Sequence, residues 1–244
     1  MEIFVLYGIL VGFIAGFFGV GGGTILVPLL LGLGYNIKEA VGITIIQMLF
    51  SSVYGSYVHY KEGRLDVKIV LFLALGGSIG AFLSAYFVQL VSNRFLELLF
   101  LTVIIFATIK LFYTPSSALK ERTLSPLILF SLGLFVGIGA ISIGVGGAIF
   151  IIPFLNAFLG YPLKKAVVAS LFFVAFSSIS AFVNWAIEGQ LLYKEGLTIG
   201  LFSMLGVYVG IRLAGRVKVK NFKALMLLLN GTVLVYLIQK IVLV

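Results

Sequence analysis

The chain has 244 residues, 61% hydrophobic and only 10% charged, with a mean hydropathy of +1.23. So few charges cannot coat a soluble domain of this size, and the chain reads as an integral, multi-pass, all-α membrane protein. The net charge of +9 suits Lys- and Arg-rich cytoplasmic loops, so nucleic acid is not an expected partner. The absence of cysteine excludes disulfides, thiolate metal sites and Cys nucleophiles.

A β-barrel would show ten-residue alternation, which is missing. Glu2 stands where a cleaved signal peptide would carry basic residues, so none is expected. The first segment, about 3–34, is apolar but broken by Gly19-Val-Gly-Gly-Gly23, after which Thr24 opens a second piece that contains Pro28. Three full spans follow at about 38–60, 67–91 and 94–113, each able to cross a ~30 Å hydrocarbon core. A polar stretch, 114–123, contains Pro115 and ends the first half.

The same order then returns. A broken segment at about 125–160 carries Gly144-Val-Gly-Gly147, Ala148, Ile149 and Pro153, and spans follow at about 165–187, 195–215 and 220–242. At an offset of 125, Gly8, Gly12, Gly19, Gly21, Gly22 and Pro28 meet Gly133, Gly137, Gly144, Gly146, Gly147 and Pro153. At an offset of 126, Ala40, Thr44, Ser51, Ser52 and Gly63 meet Ala166, Ser170, Ser177, Ser178 and Gly189. The chain is therefore two copies of one membrane unit: repeat 1–113, linker 114–123 and repeat 124–244.

Whether the broken segments cross the membrane or dip in and return is decided by charge. As hairpins they leave Lys61, Arg64, Lys68, Lys110, Lys120, Arg122, Lys164, Lys165, Arg212, Arg216, Lys218, Lys220 and Lys223 on one side. That is 13 of the 17 basic residues, against Lys38, Arg94, Lys194 and Lys240 on the other. As crossings they split the same residues almost evenly. The positive-inside rule favours hairpins. Each half then has three crossings, an odd number that inverts the second copy. The expectation is an inverted-repeat bundle in the cell membrane, each half having a re-entrant or broken first helix plus three full transmembrane helices. Both termini lie outside, the linker lies in the cytoplasm, and the glycine tips meet near the midplane.

A glycine tip at membrane depth frees backbone N–H groups and points a helix N-terminus inward, which favours an anion. The expected donors lie around Gly21, Gly22, Gly23 and Thr24, and around Gly146, Gly147, Ala148 and Ile149. No Gly-Lys-Ser/Thr follows either tip, so a phosphate loop is rejected. Single glycines such as Gly8, Gly12 and Gly16 are read as helix-packing residues. In the second span of each half, Thr44, Gln47 and Ser51, and Ser170, Ser177 and Asn184, are expected to line the route. His59, near a span end, is read as interfacial. Asn156 is either polar lining or a loop residue.

All eight acidic residues fall near span ends or in loops. No buried carboxylate offers a proton or sodium relay, and no catalytic pair, metal cluster or nucleotide motif is visible. The expectation is a carrier with no enzyme activity and no cofactor. A negative charge leaving a negative-inside cell gains about 2.3 kcal/mol per 100 mV, so anion efflux needs no relay.

The paired glycine segments, each with its proline, and the Ala-led Ser-Ser spans resemble the TauE/SafE family of sulfite and organosulfonate exporters. Gly19 to Pro28, Ala40 to Ser52, Gly144 to Pro153 and Ala166 to Ser178 carry the resemblance, which covers essentially the whole chain. It implies a small sulfur-containing anion as substrate. Ala148 stands where the first run has Gly23, so the two tips are not equivalent. The rival readings are a transporter of the same fold for a neutral solute or a metal ion or other cation, and a non-transporting membrane assembly factor. Spans 94–113 and 220–242, poor in glycine, are expected to face lipid or to form a homodimer.

Overall fold

A computed structural model describes residues 2–65, 67–113 and 124–242, with the side chains of 67–69 and 241–242 left aside. The expected linker, with Lys120 and Arg122, lies outside the described residues. The described residues form ten helices and no strand. The first half comprises α1 (Glu2–Phe18), α2 (Gly23–Gly32), α3 (Ile37–Lys61), α4 (Val67–Leu90) and α5 (Asn93–Tyr113). The second comprises α6 (Pro126–Ser142), α7 (Ala148–Ala157), α8 (Leu163–Ile187), α9 (Tyr193–Arg216) and α10 (Val219–Val242). Six of them, α3, α4, α5, α8, α9 and α10, contain stretches long and apolar enough to cross a bilayer. Their bounds fall within three residues of those expected from hydropathy.

Local chemistry sets several of the helix starts. Asn36 and Glu39 form a reciprocal capping box at α3, with bonds of 2.9 and 3.0 Å. At α6, Ser125 caps the first turn and Pro126 stands at its first position. The breaks after α1 and α6 come from glycine. Gly19, Gly21 and Gly22 have φ of 72, 70 and 88°, and Gly144, Gly146 and Gly147 have 72, 76 and 84°. Side chains other than glycine's rarely tolerate this left-handed backbone, so both copies turn at the same three positions.

The small residues pack helices of opposite halves together. Gly8, Gly12 and Gly16 on α1 lie against Ile199, Ser203 and Val207 of α9. In the other copy, Gly76 and Gly80 on α4 lie against Phe130 and Leu134 of α6. These ladders ascend together, so α1 runs parallel to α9 and α6 parallel to α4. Glycine lets the backbones approach where lipid supplies no hydrophobic drive between helices.

The registers also place the hairpins. Gly42 lies by Gln190, Gly196 by Ile46 and Gly200 by Phe50, so α3 is parallel to α9 as well. α1 therefore starts at the end of the bundle where α3 starts (the α3 end). α2 leads back to it, with Gly32 beside Tyr236 and the Leu31 carbonyl accepting from Lys240. The α1–α2 unit thus enters and leaves at one end. By the same registers, α6–α7 enters and leaves at the opposite end, where α8 starts (the α8 end). α3 and α8 cross antiparallel between them, with Gly55 on Leu171 and Ser52 Oγ 3.3 Å from Ser178 Oγ. Among the described basic residues, Lys61, Arg64, Lys110, Lys164, Lys165, Arg212, Arg216, Lys218, Lys220 and Lys223 belong to the α8 end, while Lys38, Arg94, Lys194 and Lys240 belong to the α3 end.

A β-carbon on Gly12 would lie 2.6 Å from Ser203 Cα, whereas one on Gly231 in α10 meets nothing within 4 Å. Gly12→Ala is expected to cost about 1–3 kcal/mol of overpacking and to lower the thermal midpoint in detergent. Gly231→Ala should leave it unchanged or raise it, since alanine gains about 0.5–1 kcal/mol in a helix interior. Equal midpoints for the two variants would contradict the close α1–α9 seam.

Candidate functional site

The two tips converge on the α3–α8 crossing. Gly21 and Gly146 each lie against both Met48 of α3 and Val174 of α8, residues that are counterparts at the offset of 126. A β-carbon on Gly23 would overlap the Gly144 carbonyl oxygen, so the tips touch through backbone. That contact, not a positive φ, is what demands glycine at Gly23.

At the first tip the carbonyls are largely used. Ser51 Oγ donates to the Gly21 carbonyl at 3.2 Å, and Ser170 Oγ reaches across from α8 to the Gly19 carbonyl at 3.0 Å. The Gly22 carbonyl accepts from Ile25 and Leu26. Pro28 cannot donate to the Thr24 carbonyl, but that group points along α2, away from the tip. The donors are in the opposite condition. Among the described residues, the N–H groups of Gly21, Gly22, Gly23 and Thr24 donate no short hydrogen bond, and the turn over Gly21 and Gly22 closes only weakly on Val20.

Two side chains share that state. Thr24 and Gln47 are fully buried, and Thr24 Oγ1, Gln47 Oε1 and Gln47 Nε2 have no hydrogen-bond partner. The Gln47 amide faces the tip: a β-carbon on Gly22 would stand 2.7 Å from Oε1 and 2.8 Å from Nε2. A buried polar group left unpaired costs about 1–3 kcal/mol. Such groups beside a helix start, where the dipole and the first N–H groups favour negative charge, have the chemistry an anion would need.

The second tip has the same backbone and different chemistry. Phe173 occupies the place of Gln47, with a ring atom 2.5 Å from where a β-carbon of Gly147 would be. Ile149 replaces Thr24, and both residues are buried. Val136 packs on Gly147 as Val11 packs on Gly22. Here the helix start is sealed by apolar side chains.

The expected site residues therefore separate. Gly21 to Thr24, Thr44, Gln47 and Ser51 come together, with Thr44 Cγ2 beside Gly23 and its hydroxyl on the Ala40 carbonyl at 2.7 Å. Ser170 joins them through Gly19. Gly146, Gly147, Ala148 and Ile149 form the apolar tip. Ser177 donates to the Phe173 carbonyl at 2.8 Å and abuts Gly77. Asn184 stands further along α8 and donates to the Phe82 carbonyl of α4, where it ties helices together. Asn156 closes its own loop on the Tyr161 carbonyl at 2.6 Å.

Sequence reasoning passed over a cavity of about 410 Å³ at the α8 end. His59, Arg64, Lys164, Lys165, Gly16 and Val167 are among its lining residues. His59 is buried and neither ring nitrogen has a partner. The available signal was the offset of 126, which sets His59 against Trp185 and Arg64 against Gln190.

The description "Sulfite exporter TauE/SafE" belongs to a family model that matches residues 4–237. A Bacillus subtilis protein named probable membrane transporter protein YdhB is 28% identical over 214 residues, 84% of this chain and 87% of its own. A Haemophilus influenzae probable membrane transporter protein is 26% identical over 193 residues, 75% of this chain and 73% of its own. A Sinorhizobium probable membrane transporter protein, ORF9, is 28% identical over 232 residues, 89% of this chain and 86% of its own. No solved structure matches the chain. With a broken-helix fold whose repeats meet at a buried polar tip and a family match along nearly its whole length, the chain belongs to the sulfite exporter TauE/SafE family of membrane transporters.

Proposed function

We propose that the chain carries a small anion, sulfite or an organosulfonate, across the cell membrane through a midplane site at the first glycine tip. The carrying observation is the unpaired, fully buried trio of Thr24 Oγ1, Gln47 Oε1 and Gln47 Nε2 at the start of α2. Sulfite and sulfonates present three oxygens. The N–H groups of Gly21 to Thr24, the Thr24 hydroxyl and the Gln47 amide supply donors for them. A cation would instead need carbonyls, and at this tip those of Gly19, Gly21 and Gly22 already accept hydrogen bonds. Thr44, Ser51 and Ser170 support the tip backbone or line its approach. The second tip, sealed by Phe173 and Ile149, serves as the opposing wall.

In this reading the halves are inverted repeats, with the α8 end and the linker cytoplasmic and both termini outside. The excess of Lys and Arg at the α8 end supports that orientation. Rocking one repeat against the other would expose the site to each side in turn. The inside-negative potential drives the anion outward without a coupled ion.

Three outcomes are expected. Gln47→Leu and Thr24→Val should each lower sulfite efflux from proteoliposomes about tenfold or more, since a hydrogen bond to a charged group is worth about 1.5–3 kcal/mol. The same variants should melt no lower than the parent, because each removes an unpaired buried polar group; full efflux in either would remove the tip as the site. Sulfite efflux should also quicken as the inside is made more negative. A flux indifferent to potential would contradict uncoupled movement of a charged anion.

A further inference from the structure

The cavity at the α8 end has a counterpart. At the α3 end a cavity of about 450 Å³ is lined by Lys38, Glu39, Gly189 and Gln190 among others. At the offset of 126 these are the equivalents of Lys164, Lys165, Gly63 and Arg64. The bundle thus has matching hollows at its two ends, and they differ in charge. The hollow at the α8 end has Arg64, Lys164 and Lys165, and among the described residues Glu62 lies 3.3 Å from Arg64 Nε. In the hollow at the α3 end, Lys38 is offset by Glu39 and Gln190 is neutral.

Three further features point to a ligand at the α8 end. His59 is 5% exposed, and neither of its ring nitrogens has a partner. Its counterpart, Trp185, is satisfied by Ser84 Oγ at 3.0 Å. The start of α8 has no side-chain cap, so its first N–H groups and dipole add to the positive field. Lys164 Nζ is held on the Gly215 carbonyl at 3.2 Å, which fixes its charge at the wall. The floor then leads inward. Val167 lines the cavity, and its Cγ1 would stand 2.6 Å from a β-carbon of Gly19, at the back of the first tip.

We propose that this cavity is an anion-capture vestibule, where a sulfonate or sulfur oxyanion is held by Arg64, Lys164 and His59 before it reaches Gln47 and Thr24. The assignment rests on the anion-transport reading above and adds the side from which the carrier loads. A positive, low-dielectric cleft raises the local anion concentration. It therefore lowers the concentration needed for half-maximal transport from the α8 end relative to the α3 end. It leaves the equilibrium distribution of the anion unchanged.

The absence of native cysteine allows a direct test. Ala214→Cys places a thiol in this cavity, and Leu192→Cys places one in the opposite hollow. Each purified variant is reacted with 2-sulfonatoethyl methanethiosulfonate and with its trimethylammonioethyl analogue, and the rate ratio is divided by that for a free thiol. At Ala214→Cys the anionic reagent should be favoured about tenfold or more, and ethanesulfonate should slow it. Adding Arg64→Gln and Lys164→Gln should bring the ratio close to one. At Leu192→Cys the ratio should be close to one throughout. No anionic preference at Ala214→Cys in a monodisperse sample, or a preference that survives loss of Arg64 and Lys164, would overturn the vestibule. Sulfite efflux by the parent protein tells the two readings apart. Efflux without anionic preference leaves transport standing and removes the vestibule. Preference without efflux of sulfite or ethanesulfonate keeps the anion site and removes the transport reading.

Discussion

The structure depends on one constraint: backbone that leaves the helix inside an apolar bundle must find partners or face a ligand. The glycines that break α1 and α6 create that problem deliberately far from either end of the bundle. Gly19, Gly21 and Gly22, with Gly144, Gly146 and Gly147, can turn there because they lack side chains. The carbonyls of Gly19, Gly21 and Gly22 are then met by Ser170, Ser51 and the first turn of α2, while the N–H groups at that tip donate no short hydrogen bond. The packing follows from the same need. The tips can meet only if α3 and α8 cross closely between them, and the Gly ladders of α1 on α9 and α4 on α6 hold the hairpins against that crossing.

The likeness of the two halves supplies the scaffold, and their differences supply the polarity. The positions of the left-handed glycines, the in-helix prolines and the ladders agree between halves. The residues that meet them do not. Gln47 and Thr24 face one tip, Phe173 and Ile149 the other. His59 and Arg64 mark one hollow, Trp185 and Gln190 their places in the second half. A fold with near-equivalent halves can alternate between two related conformations. In the proposed mechanism, unequal chemistry at matched positions would give the passenger a single binding place and the two sides different access.

Much of this was legible in the sequence, because hydropathy and the repeat are local signals. The spans, the breaks at Gly19 to Gly23 and Gly144 to Gly147, and the packing role of Gly8, Gly12 and Gly16 all follow from spacing and composition. Asn184 was not legible as a helix tie, since its partner, the Phe82 carbonyl, is 102 residues away in sequence. The pairing of α1 with α9 escaped for the same reason. The positive-inside count puts Lys164 and Arg64 on one side, but only the crossing of α3 and α8 brings them to one cavity with His59. The contrast between Gln47 and Phe173 was present at the offset of 126, yet its meaning needed the Gly22 and Gly147 contacts.

The most direct test of the central claim is to locate an anion at the tip. Selenite resembles sulfite and scatters anomalously, so crystals of the protein soaked with it would report the position of the selenium atom. The account predicts a peak within hydrogen-bonding reach of Gln47, Thr24 and the N–H groups of Gly22 and Gly23, weakened in Gln47→Leu. A peak at Gly147 beside Phe173, or selenium bound only outside the two tips, would contradict it.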